Sequence, residues 1–179
     1  MAARGDRFVD IALVGNLANG NTFFASTSVI LLGALSALLG SGERAQGIVA
    51  RLPFTEPTAP LLWDLKILLM MAVFVYAFFK FAWAFRLAHY TMIMVGATPL
   101  AGRATEGVCE EHAGRTARIA GLAGEHSNQG LRAYYFAIAG IGWFFSAPLF
   151  IAATSWVLLI LIRREYFSRS LRAIRGGSA

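Results

Sequence analysis

Residues 131–162 run for 32 positions with one charged side chain, Arg132. A helix crosses the hydrocarbon core of a bilayer with about 20 apolar residues. A run this long either crosses once with a large excess or crosses twice. Two further blocks of the same kind precede it, at 22–39 and 61–94. Hydrophobic residues make up 57% of the chain and charged ones 15%, against roughly 25% charge in soluble domains. A soluble fold of this size could not hide so much apolar surface. Membrane barrels would alternate apolar and polar residues in segments of about ten, and these blocks do not alternate. The expected class is all-α: an integral membrane helical bundle with no soluble domain, treated as one domain over residues 1–179.

Punctuation residues set the expected elements. A polar-studded lead-in from about Asp10 runs into the first span at about 22–39, which Gly40, Ser41 and Gly42 stop. The following linker carries Pro53, Pro57 and Pro60 and reads as extended. Pro60 also suits the first turn of the next helix. That helix, 61–94, would be about 50 Å long. Its membrane part is taken as 61–86, and its Arg86 and His89 end should protrude. Pro99 ends it. Residues 101–130 are polar and rich in small residues, with Val108, Ile119 and Leu122 as their large apolar members. They read as an amphipathic surface helix broken by glycines, with too little apolar surface for a core.

Within 131–162, Ser146, Ala147 and Pro148 sit mid-run, where a proline removes a backbone donor and clashes with the preceding turn. The run is therefore divided into spans at about 131–145 and 149–162, a single kinked helix being the alternative. The basic tail reads as a short helical extension. Cation placement supports four spans. Fourteen of the sixteen cations are Arg. Four spans with both ends inside put all of these on the cytoplasmic side except Arg44 and Arg51, as the positive-inside rule asks. The first 20 residues contain Asp6, Asp10, Asn16 and Asn19 and do not read as a cleavable signal.

The net charge of +6 does not indicate nucleic acid, because the cations flank apolar helices and form no basic face interleaved with stacking aromatics. One cysteine, Cys109, excludes an internal disulfide framework. Cys109 and His112 have the spacing of two zinc ligands, but two more are not evident. A solvated charged turn is the plainer reading, and no metal or cofactor is expected. There is no glycine-rich phosphate loop, no pair of intramembrane carboxylates and no serine–histidine constellation, so no enzyme is expected.

Polar side chains inside an apolar span need partners. Asp64 and Lys66 fall beside Trp63 near the outer end of 61–94 and read as interfacial. Lys80 lies deeper, among Phe78, Phe79, Phe81 and Trp83, and shares a helical face with Tyr76, Trp83, Leu87 and Tyr90. It either snorkels to the inner interface or faces the bundle. In the second case Asn16 and Asn19, Arg86, and Asn128, Arg132 and Tyr135 arrive at the same depth. These seven residues form the candidate polar cluster, either as interhelical glue or as part of a binding pocket or conduction path.

Three runs carry a resemblance: GNLANGNTFFASTSVILLGAL, LLWDLKILLMMAVFVYAFFKFAWAFRLAHY, and GLRAYYFA followed by WVLLILIRRE. Together they resemble the bacterial membrane family known as domain of unknown function 599, over nearly the whole chain. The resemblance implies a helical integral membrane protein and no activity. Family members typically begin with a further apolar segment and a basic stretch containing Trp, and this chain begins after that point. The expected role is a non-catalytic bacterial inner-membrane component that meets lipid, other membrane proteins or itself through helix faces. A small transporter or channel using the cluster around Lys80 is the alternative.

Overall fold

The computed structural model describes residues 8–52, 55–99 and 105–166. In chain order the elements are α1 (Phe8–Ser41), α2 (Glu43–Val49), α3 (Pro60–Gly96), α4 (Glu106–Ile141), a 3-10 turn (Gly142–Phe144) and α5 (Ala147–Tyr166). Three stretches are long and apolar enough to cross a membrane: Val9–Ser41, Pro60–Gly96 and Ala147–Arg164. With no strand among the described residues, the protein is an all-helical, multi-pass membrane protein. Arg4, Arg7, Pro53, Arg103 and the tail from residue 167 lie outside the described residues.

The lead-in and the first span form one helix. Pro60 opens α3, as its fixed φ and missing N–H allow. Two expectations are corrected. The linker is not extended throughout, because α2 occupies Glu43–Val49. Its prolines all lie downstream of that segment, so nothing stops residues 43–49 from coiling. Gly42 separates α1 from α2 with a φ of 42°, a left-handed conformation that glycine adopts without a Cβ penalty. Nor do glycines break the amphipathic stretch: α4 runs unbroken through Gly107, Gly114, Gly121, Gly124 and Gly130. Each interior glycine costs about 1 kcal/mol relative to alanine, and tertiary packing offsets this.

That packing follows a strict alternation of three- and four-residue steps. On α3, Trp63, Ile67, Met70, Phe74, Ala77, Phe81, Ala84, Ala88, Thr91 and Val95 are all buried. On α4 the seam is His112, Thr116, Ile119, Ala123, His126, Gly130, Ala133 and Ala137, every one buried or half-buried. Seven residues per two turns is the repeat of helices that wind around each other left-handedly. Small side chains let the backbones approach closely.

The described residues divide into two compact units. One gathers residues 8–36 and 71–134, the other 37–70 and 135–166. In the first, Ala77, Phe81 and Ala133 form a core against Phe24, Ala25, Val73, Leu131 and Tyr134. The Phe24 and Phe81 rings stack at 5.1 Å. Gly130 faces the Phe81 ring so closely that a Cβ there would lie 2.7 Å from Cζ. In the second, Trp63 packs edge-on against Phe144 at 5.1 Å, and Trp143 stacks on Phe150 at 5.5 Å. The chain turns sharply between α4 and α5. A Cβ on Gly142 would lie 3.3 Å from the Phe150 nitrogen, whereas eight residues of straight helix would separate them by about 12 Å. Ser146 starts α5, its Oγ accepting from the Leu149 N–H at 3.4 Å.

Candidate functional site

The hydroxyls of the apolar helices are largely satisfied by their own helix. Thr22, Thr27, Ser28 and Ser36 on α1 each donate to the carbonyl four residues earlier, and Thr91 on α3 does the same. Such back-bonding satisfies these hydroxyls within hydrocarbon, whereas Thr154 Oγ1 on α5 is buried without a partner. The polar contacts that reach further form two centres, one in each unit.

In the first unit, Tyr134 Oη donates to the Phe24 carbonyl at 2.9 Å and lies 2.9 Å from Ser28 Oγ. Ser28 is fully buried. The Tyr134 ring meets Phe24, Phe74 and Phe81 edge-on at 5.4–5.7 Å. One hydroxyl thus ties α4 to α1 inside an aromatic cage. Closer to the C-terminal end of α3, His112 Nε2 pairs with the Met94 carbonyl at 2.8 Å. The carbonyl only accepts, so Nε2 carries the proton. This satisfies one of the orphan carbonyls at a helix end. Tyr134→Phe is expected to lower stability by about 1 kcal/mol. Thermal unfolding in mild detergent measures it, with the exposed Tyr76→Phe as a neutral reference.

In the second unit, Lys66 is 5% exposed. Its Nζ donates to the Trp143 carbonyl at 2.8 Å, reaches Thr58 Oγ1 at 3.5 Å and sits 5.4 Å from the centre of the Trp143 ring. Glu56 interacts with it electrostatically. Three other carbonyls of this corner also have partners. Gly142 O accepts from the N–H groups of Phe145 and Ser146, Phe145 O from that of Glu56, and Ser146 O from that of Phe150. An ammonium at a helix C-terminus meets the negative end of the helix dipole. Lys66 therefore acts as a C-cap supplied by another helix. The Trp63 indole nitrogen beside it is buried without a hydrogen-bond partner.

The sequence-derived cluster is placed differently. Asn16 and Asn19 are exposed on α1, whose buried polar residues are Asn21 and Ser28. Lys80 is half-buried, off the α3 seam, with Nζ 5.2 Å from the ring centre of Tyr76 on its own helix. Arg86 is exposed, and its Nε donates to Tyr90 Oη at 3.1 Å. Asn128 and Arg132 are exposed, and each has a partner. Tyr135 is half-buried and belongs to the other unit. Sequence reasoning took Lys66 for an interfacial residue and so missed the second centre. The available signal was the Trp63–Lys66 pair on one face, three residues apart. No group of three or more metal-ligating side chains occurs among the described residues.

The family model described as protein of unknown function, DUF599, matches residues 1–170. No curated protein and no solved structure matches the chain.

Proposed function

Because the chain belongs to the DUF599 family, we propose that it is a non-catalytic component of the bacterial inner membrane, working through helix packing and contact with other membrane proteins or its own copies. The four spans of this reading are α1, α3, the apolar end of α4 with the 3-10 turn, and α5. Both ends of the chain are cytoplasmic, and the N-terminal part of α4 protrudes on that side. The observation that carries the non-catalytic role is the use made of the buried polar groups. Lys66 is bound to a main-chain carbonyl and Tyr134 to another. Both hold helices together.

The interacting surface in this reading is α5. None of its most apolar window is buried, and Trp156 is exposed among Leu159, Ile160 and Ile162. A photo-crosslinking residue at Trp156 in intact cells should give discrete protein adducts. Lipid adducts alone, at Trp156 and at Leu159, would overturn the interaction role. For topology, single cysteines at Ser41 and Glu106, with Cys109→Ser, should react with an impermeant maleimide from outside and inside respectively. Labelling of both from one side would overturn the four-span arrangement.

For Lys80 this reading favours snorkelling over a role in transport. Twenty residues of helix separate it from Pro60, about 30 Å of rise, which is the thickness of the hydrocarbon core. Together with the Tyr76 ring beneath its amine, that depth supports snorkelling to an interface.

A further inference from the structure

We propose that the exposed face of α2 is a membrane-surface anchor that binds the headgroups of anionic lipids, with Arg44 and Arg51 on phosphate and Ile48 and Leu52 dipping into the acyl boundary. The proposal rests on the reading that α1 and α3 span the bilayer. Under that reading α2 has nowhere else to lie, since a single residue, Gly42, joins it to the end of α1. It cannot leave the leaflet surface.

The chemistry of its two sides supports this. Arg44 and Ile48 lie about 40° apart on the helix, and Arg51 follows in the turn that ends it, its N–H on the Ile48 carbonyl. All three are exposed, as is Leu52 just beyond. Ile48 is 66% exposed, which is costly in water for a side chain that packing could have turned inward. Ala45, Gln46 and Val49, on the other side, are half-buried, and Gln46 Nε2 donates to the Thr58 carbonyl. That bond sets the rotation of α2 and directs the Arg44–Ile48–Arg51 side outward. Glu43 is exposed as well, at the edge of this side, so the outward face sets two guanidinium groups against one carboxylate. Guanidinium groups flanking aliphatic side chains are the composition of an interfacial helix, and a planar guanidinium suits bidentate contact with phosphate. A helix of seven residues would not persist free in water. Here it is held at both ends, which raises its effective concentration at the surface.

The test uses the full chain with Cys109→Ser in nanodiscs of phosphatidylcholine, with or without phosphatidylglycerol. An environment-sensitive fluorophore is placed at Ile48→Cys and, separately, at Ile30→Cys on α1. The expected result at position 48 is a blue-shifted probe that bromine on the acyl chains quenches, more strongly when phosphatidylglycerol is present. Arg44→Gln and Arg51→Gln should each weaken the phosphatidylglycerol preference by about fivefold. A probe at 48 that only aqueous iodide quenches, beside a lipid-quenched probe at 30, would overturn the anchor and leave the spans standing. Water exposure at both positions would overturn the spanning reading beneath it. An unchanged lipid preference in the double arginine variant would overturn the assignment to headgroups.

Discussion

Gly130→Ala should lower the stability of the purified protein by about 1–3 kcal/mol, the usual cost of forcing an extra carbon into a packed core. Chemical or thermal unfolding in mild detergent measures it. The added Cβ would meet three atoms of the Phe81 ring at 2.7–2.9 Å. That ring cannot step aside, because it is fully buried, stacked on Phe24 and met edge-on by Tyr134. Two other glycines calibrate the result. A Cβ at Gly140 would meet the sulfur of Met70 at 2.8 Å, but a methionine side chain can rotate away, so Gly140→Ala should cost clearly less. Gly121 faces open space, so Gly121→Ala should be neutral or stabilise by up to about 1 kcal/mol. If all three behave alike, the seam packing of α4 is wrong.

Lys66→Met should be the most damaging single change at a charged residue, with an expected loss of about 1–3 kcal/mol. Methionine keeps much of the stem's volume, so the cost reports the ammonium and not a cavity. The Trp143 carbonyl would lose the donor that Lys66 supplies. A double-mutant cycle with Thr58→Val should show coupling, because both side chains serve one contact. Lys80→Met should be close to neutral by the same measurement, and its combination with Asn19→Leu additive, since Asn19 is exposed on α1. Equal costs for the two lysines would remove the distinction drawn between them.

That distinction marks where the sequence is silent. Apolar runs and prolines locate helix ends well. The start at Pro60 and the break before Pro148 both follow from the geometry of one residue type. Rotation about a helix axis is another matter. α1 and α3 are apolar nearly all round, so no stripe announces which side will be buried. Lys66 and Lys80 look alike on a hydropathy scale and each directly precedes a seam residue, Ile67 or Phe81, yet Lys66 is buried on the Trp143 carbonyl and Lys80 is half-buried against a ring of its own helix. Asn21 and Asn19 differ in the same way. On α4 the seam was written in the sequence, but in Thr116, Ala123, Gly130 and Ala137, seven residues apart. A reading that weights large side chains passes over small ones. α2 went unseen because the prolines after it were allowed to speak for the whole linker.

The cap that Lys66 provides also has a history within each chain. Its acceptor lies 77 residues further on, so α3 is synthesised before the Trp143 carbonyl exists. At about 5–20 residues per second, the ribosome takes several seconds to supply it. During that interval the ammonium has no carbonyl to hold, and water at the bilayer edge is its available partner. The α4–α5 corner supplies that carbonyl late, so the contact that holds Lys66 closes only after most of the chain has been made.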